Sequence, residues 1–477
     1  MSADLVVNLE SPLPASLPVG TATAVFISGS CFDAREVVED LAIVVDGGIR
    51  HRPQAFAMPR PDVRRARDEP NAYRSGFWAT VALEARDAPG TIELGVAARL
   101  AGGAETTAAL GCIDVVEPAA APEREDLPRA AEPGLIAVCM ASFEPDAALF
   151  RAQVESLRAQ TDDRWVCVIS DDCSGPEHFD RITEIVGDDP RFVVSRSPER
   201  LGFYANFERA LRLAPSGAEL LALCDQDDRW HPDKLATLRG ALGPAALVYS
   251  DQRLVDASGR VLRDTLWRGR RNNHTNLASM LIANTVTGAA TLFRRDVAEL
   301  ALPVPETPGF RFHDHWIGLV ALAAGDVAYV DRPLYDYVQH AGAIFGDVTQ
   351  GPGPARRRWR ERVRETAVEW RAAYFYGYVS RALLAQAALV RCGPRLSRPK
   401  RRTLERFVAA ERSPFAFAWL ALRALRSLTG RNETLGSEVQ LAEGILWKRL
   451  GRRARDASPP PPASFSQRRL RRWRARV

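Results

Sequence analysis

Five short runs made only of apolar residues recur through the middle of the chain: L-I-A-V-C (135–139), W-V-C-V-I (165–169), F-V-V (192–194), L-L-A-L-C (220–224) and A-L-V-Y (246–249). Between them lie stretches such as Ala147 to Gln160, whose apolar residues fall at the three- and four-residue spacing of an amphipathic helix. A strand that is apolar on both faces must be covered on both, so alternating strands and helices imply an α/β fold with a mostly parallel central sheet. In such sheets ligands bind beyond the carboxyl ends of the strands. Here those ends carry Ala141-Ser142-Phe143-Glu144, Ser170-Asp171-Asp172-Cys173-Ser174 and Asp225-Gln226-Asp227-Asp228. One acid after a strand ordinarily caps a helix. Three polar clusters on one rim point to a ligand.

The flanks read differently. Residues 1–117 carry short apolar runs closed by turn signals, such as Leu41 to Val45 before Asp46-Gly47-Gly48, which suggests a small all-β sandwich-like module. Its Phe77 and Trp78 are candidates for stacking on a sugar, although strand aromatics ordinarily serve the core. A linker rich in Ala, Pro and charge follows at 118–133, and the sheet domain is expected over 134–350. Residues 351–455 read as a basic α-helical region and 456–477 as a disordered basic tail. From Gly351 onward there are roughly 30 Lys/Arg against about 9 Asp/Glu, so the overall charge of +5 conceals an acidic body and a basic end. That end suits an anionic partner. Its aromatic segments 370–379 and 414–425 suit an anionic membrane surface, or else ordinary helices packed on the sheet domain. No nucleic-acid-binding motif accompanies the arginines.

Seven scattered cysteines without a C-x-x-C pair argue against a zinc site or a disulfide framework, and suit buried thiols in a reducing cytosol. The N-terminus shows no basic region followed by an apolar one, and no run of about 18 apolar residues is free of charge. A cytoplasmic protein, peripheral on the inner face of the membrane, is expected.

Three carboxylates within Asp225–Asp228 repel one another unless a cation or ordered donors compensate. Oxygen ligands of this kind favour Mg²⁺ or Mn²⁺ shared with substrate phosphates. The chain has no G-x-x-x-x-G-K-[ST] loop, and no G-x-G-x-x-G after the first strand. A metal-bound diphosphate remains.

The segment from Leu135 to about Phe345 resembles the family-2 inverting glycosyltransferases of GT-A fold, in particular their bacterial rhamnosyltransferase-like branch. The resemblance rests on V-C-M-A-S-F (138–143), V-I-S-D-D-C-S (168–174), R-L-G-F-Y-A-N-F (200–207), C-D-Q-D-D-R-W-H-P-D-K-L (224–235), N-T-V-T-G-A-A-T-L-F (284–293), F-H-D-H-W (312–316) and Y-V-Q-H (337–340), in the family's order. It covers less than half of the chain and does not extend to the β module.

The resemblance implies a role for each matching residue. Ala141, Ser142 and Phe143 line the nucleobase pocket, and Asp172 accepts the base's imide N–H. Gly202 and Asn206 sit in a loop beside the nucleotide. Asp225 and Asp227 form the D-x-D metal pair, with His340 as a further ligand. Asp228 faces the sugar or caps the helix after Pro232. Gly288, within Asn284 to Thr291, lines the donor and acceptor side with His315 and Trp316, while His313 and His315 are structural or acceptor-facing and not metal ligands. Asp314 is the catalytic base. The sequence reads H-D-H-W where the family usually has H-D-W-W, and Ala141 and Phe143 replace a usual Thr and Tyr.

The implied activity is transfer of a sugar, with rhamnose first, from a nucleoside diphosphate to a cell-envelope glycan or polyprenyl-linked oligosaccharide. The alternative is a non-catalytic glycan-binding scaffold with a vestigial transferase domain.

Overall fold

The computed structural model describes residues 5–118, 133–267, 271–309, 312–340, 369–434 and 436–450. Most of the expected linker, the end of the expected sheet domain and the basic tail lie outside these residues.

The central sheet runs, in spatial order, through Phe192–Arg196, Trp165–Asp171, Ile136–Ser142, Leu220–Asp225, Thr291–Arg294, Leu247–Asp256, Val327–Gln339 and Arg229–Trp230. The first four strands are mutually parallel. The short strand Thr291–Arg294 then enters antiparallel between Leu220–Asp225 and Leu247–Asp256, so the sheet is mixed. This strand carries no sequence signal of its own, since four residues are too few to show a period. Registers among the parallel strands are level: Ala141 pairs with both Ser170 and Asp225, and Ser142 with Asp171. The three polar clusters therefore end side by side. Glu144 and Cys173, directly after two of these strands, take φ of 39° and 61°, a conformation that disfavours a side chain and turns the chain sharply at the rim.

The N-terminal part is a sandwich of two sheets. One holds Leu5–Leu9, Thr23–Asp33, Gly76–Leu83 and Ala55–Met58; the other holds Ser16–Pro18, Glu105–Val116, Gly90–Leu100, Val38–Val45 and Ile49–His51. Asp46 and Gly47 both have positive φ, as a tight hairpin between Val38–Val45 and Ile49–His51 requires. Strand alternation sends Val25, Ile27, Phe77, Ala79 and Val81 into the sandwich core. Their neighbours Ala24, Phe26 and Trp78 face the other way, into the core shared with the rest of the chain.

The outward face is covered by the C-terminal helices. Trp78 is fully buried, its ring 5.4 Å from Phe375 and 5.7 Å from Tyr374. Of the alternatives open for these segments, the packed ones hold: Trp78 is core and no sugar platform, and the aromatic segment around Ala373–Val379 is core and cannot lie on a membrane. Arg391 fastens the parts together. Its buried guanidinium donates to Ala22 O (2.8 Å) in the sandwich and to Ala301 O (3.0 Å) and Pro303 O (2.7 Å) below the sheet. Removal from water pulls its pKa down to about 10. The seven cysteines are unpaired; Cys112 is exposed and Cys173 half-buried, whereas the others are buried as expected.

Candidate active site

The rim of the parallel strands is built by polar side chains that fix one another. Gln226, inside the acidic cluster, reaches back to the first strand: its Oε1 accepts Ser142 Oγ–H (3.0 Å) and Phe143 N–H (2.8 Å), and its Nε2 donates to Phe143 O (3.2 Å). Among three acids this amide looks inert in the sequence, yet it clamps two rim segments. Asn206 makes a second clamp, donating to Ser142 O (3.2 Å) and Ser170 O (2.8 Å) and accepting from Ser170 Oγ (2.6 Å). Asn206 belongs to the helix Phe203–Arg212 and is buried, so the expected loop position beside a nucleotide is corrected. Gly202 caps that helix at φ +86°, where a side chain would be strained.

Asp172 accepts Leu201 N–H (2.6 Å) and Gly202 N–H (2.9 Å), with Arg200 Nε 3.4 Å away. It thus holds the 200–202 loop over the rim. Each carboxylate oxygen can accept more than one bond, which leaves room for a donor from a base. The Arg200 guanidinium lies 3.2 Å above the Phe143 ring, stacked directly on it at the rim. Arg200 was not singled out from the sequence, although it opens the R-L-G-F motif.

Asp314 sits in the first turn of the helix His313–Ala324, where the free N–H groups favour an anion. Its carboxylate accepts His315 N–H at 2.6 Å and also the N–H of Gly288. A side chain at Gly288 would stand 3.1 Å from His313 Nε2 and 3.7 Å from Asp314 Cβ, so glycine lets these two elements meet. Burial outweighs the hydrogen bonds and pushes the Asp314 carboxyl up to about 7. Asp225 is also raised to about 7, by burial first and then by the charges of Asp227 and Asp314. The structure thus brings Asp225, Asp227 and Asp314 into one electrostatic neighbourhood, as an acid–base site requires.

The expectations for Asp228 and Trp316 are corrected, and His315 takes the structural one of its two expected places. Asp228 is buried, with Oδ1 accepting Val338 N–H (3.3 Å) and Oδ2 unpartnered; it neither faces a sugar nor caps the helix Lys234–Leu242. Burial raises its carboxyl well above the usual range. His315 is buried against Met280 O (2.8 Å) and pulled down to about 4. Trp316 is wholly buried, donating its indole N–H to Ala301 O (2.7 Å). His313 stacks on Phe207 with ring centroids 4.1 Å apart, in the structural role expected for it. Lys234 was missed, although it stands within the 224–235 motif. Its ammonium is buried 3.2 Å over the Trp230 ring near Asp225 and Asp228, and burial lowers its pKa well below the usual lysine value.

His340 Nε2 lies 2.8 Å from Asp227 Oδ2. Among the described residues no group of three or more His, Cys, Asp or Glu side chains is placed to hold an ion unaided. Asp227, His340 and a crowded Asp225 nevertheless fit a divalent cation whose shell is completed by phosphate oxygens, because such an ion relieves the repulsion that raises Asp225.

Residues 138–300 match the sequence model of the family described as glycosyl transferase family 2. Together with the mixed sheet this makes residues 138–300 a segment similar to family-2 glycosyltransferase domains of GT-A fold, with a β-rich part before it and a helical region after it. The uncharacterized protein y4gI of Sinorhizobium fredii (strain NBRC 101917 / NGR234) is 32% identical over 123 residues, which are 25% of this chain and 13% of that protein. The chain therefore spans only a small part of that relative's length. Similar solved structures include TarS 1–349 of S. aureus in complex with UDP-GlcNAc, at 14% identity and a TM-score of 0.39, covering 66% of this chain and 92% of that one. Another is the mannosyltransferase PcManGT of Pyrobaculum calidifontis with GDP-Man and Mn²⁺, at 16% identity and TM-score 0.32, covering 67% and 87%.

Proposed function

We propose that this protein is an inverting glycosyltransferase that moves a sugar, rhamnose first among candidates, from a nucleoside diphosphate to a hydroxyl of a cell-envelope glycan or lipid-linked oligosaccharide. The observation that carries the reading is Asp314: a carboxylate raised to about 7, aimed by two backbone N–H groups, beside Asp225 and Asp227. A base whose pKa lies near neutrality balances availability against strength.

In this scheme Asp314 takes the proton of the acceptor hydroxyl as its oxygen bonds to the anomeric carbon. The bond from that carbon to the diphosphate oxygen breaks in the same step, and the nucleoside diphosphate departs with the electron pair. One displacement inverts the anomeric centre. Phe143, Arg200 and Asp172 hold the base, and Gly288 keeps Asp314 at its post. Asp225, Asp227 and His340 would hold a divalent cation, which supplies neutralisation of the charge gathering on the diphosphate.

Calorimetric titration with UDP, dTDP and GDP, with and without Mn²⁺, tests the reading. One nucleotide is expected to bind in a Mn²⁺-dependent manner, and Asp227→Ala to weaken it by about 10²-fold or more. Absence of binding by all three nucleotides under both conditions moves the weight to the scaffold reading.

The membrane part of the proposal rests on a different face. Phe415 (82% exposed), Leu422, Leu425 and Leu428 (81%) project from successive turns of Pro414–Leu422 and Arg423–Thr429, with Arg412 and Arg431 exposed nearby. Apolar residues ringed by arginine suit an anionic lipid surface. No helix among the described residues is long and apolar enough to cross a membrane. Because Ala373–Val379 and Ser380–Arg391 build the core, surface substitutions test this better than truncation. Phe415→Ser with Leu428→Ser is expected to reduce sedimentation with phosphatidylglycerol vesicles by about tenfold or more, given roughly 1.5–3 kcal/mol per buried side chain. Unchanged sedimentation overturns it.

A further inference from the structure

We infer that the cleft between the sandwich and the helix Phe203–Arg212 is a saccharide site, one that holds the acceptor glycan at sugars beyond the reacting one. The inference rests on the glycosyltransferase reading and gives the β-rich part a role in it.

The cleft has a volume of about 380 Å³ and three walls. Ser16, Leu17 and Thr23 come from the sandwich; Tyr204, Glu208 and Arg212 from the helix; Pro303 to Glu306 from the segment after the helix Arg295–Ala301. That volume lies in the range of small-molecule sites, roughly 300–1,000 Å³. The walls are held in place by specific bonds. Arg391 joins Ala22 O to Pro303 O, so one guanidinium sets the sandwich wall against the proline wall. Glu208 accepts Val304 N–H at 3.1 Å, which sets the helix against the same segment. Without the docked sandwich there would be no cleft.

Its place suits an acceptor. Tyr204 lines the cleft, and its ring centroid lies 6.1 Å from those of both Phe312 and His313, the two residues before Asp314. A chain of sugars lying in the cleft therefore leads toward the base. The chemistry also points to sugar. Glu208 and Arg212 pair at 2.8 Å within the lining, while the Arg209 guanidinium turns away to Ser170 Oγ and Ser195 O, so the paired charges favour neither a free anion nor a free cation there. Charged groups make strong hydrogen bonds to hydroxyls of either polarity. The Tyr204 ring and the Pro303 and Pro305 rings offer flat apolar surface for the C–H faces of pyranoses.

Ala205 is exposed on the cleft side of its helix, so a large side chain there fills the space without entering the core. The experiment uses the full chain, saturation-transfer NMR and a panel of disaccharides to tetrasaccharides of glucose, galactose, mannose, rhamnose and N-acetylglucosamine. Nucleotide titrations run on the same samples. At least one saccharide is expected to bind the unaltered protein, and Ala205→Trp to weaken it by about tenfold or more with nucleotide affinity unchanged. Arg212→Met, a milder change about two turns along the same helix, should weaken the same saccharide. Saccharide binding that survives Ala205→Trp, or no saccharide binding in a protein that binds nucleotide, overturns the inference. Failure to bind any nucleotide overturns the transferase reading instead.

Discussion

Asp314→Asn is expected to lower kcat by about 10²–10⁴-fold while leaving nucleotide affinity intact, and to make the protein more stable at alkaline pH. Both effects come from one fact: burial in the folded chain holds this carboxyl at about 7, against 3.8 for an ordinary aspartate. Activity needs the ionised form, so kcat/KM of the unaltered enzyme should rise with pH through about 7 and then level. Stability runs the other way. Between about pH 4 and about pH 7 the folded state binds a proton that the unfolded state has released, so stability falls as pH rises through this window. Above it the full penalty of a buried carboxylate is present. Asparagine has the same shape and no charge. The gain in melting temperature from Asp314→Asn should therefore be near zero at about pH 4 and grow to about 2 °C or more above pH 7. Thermal melts across that range decide it, and a gain that does not vary with pH sinks the assignment.

Asp225 sharpens the point. Burial and the neighbouring charges of Asp227 and Asp314 raise it also to about 7, so the isolated chain keeps two carboxyls at the strand rim that resist ionisation. An arrangement that weakens the fold in this way is expected where acids gather for chemistry, and hard to explain as solubility or capping.

Much of this site was legible in the sequence because the parallel strands end level. Once Ala141 pairs with Ser170 and with Asp225, clusters read one by one along the chain become one rim. Asp314 was legible through its flanking motif, but its neighbours His315 and Trp316 were not. A helix turns about 100° per residue, so His315 and Trp316, one and two residues after Asp314, have rotated into the core. A motif records which residues occur together, not which of them share a face. Gln226 and Lys234 were passed over because amides and lysines among acids carry no charge pattern of their own; only contacts to Phe143, Trp230 and Ala289 reveal them. The C-terminal helices were the least legible. An aromatic run beside arginine reads alike whether it meets lipid or a second domain, and nothing local to Tyr374 and Phe375 names Trp78, far back in the chain, as their partner.

That long-range contact yields the second large effect. Trp78→Ala should cost about 3–5 kcal/mol, the range for deleting a fully buried large aromatic. Trp78 is 0% exposed, flanked by Phe26, Tyr374 and Phe375, with Lys448 Nζ 5.3 Å from its ring; collapse around the void would have to move two domains. Its neighbour Phe77 is equally buried but faces the sandwich core, with Ile27, Val81 and Ile92. The two alanine variants should therefore fail differently. Phe77→Ala should unfold the sandwich from within and leave the aromatic packing around Tyr374 as it was until that event. Trp78→Ala should release the sandwich from the C-terminal helices first, exposing Tyr374 and Phe375 to solvent while the strands on either side stay protected. Hydrogen exchange read segment by segment separates these outcomes: early loss of protection in Ala373–Val379 for Trp78→Ala, and in Gly90–Leu100 for Phe77→Ala. If Trp78→Ala leaves stability and exchange unchanged, the sandwich is not held by this face, and the cleft it helps to wall loses its physical basis.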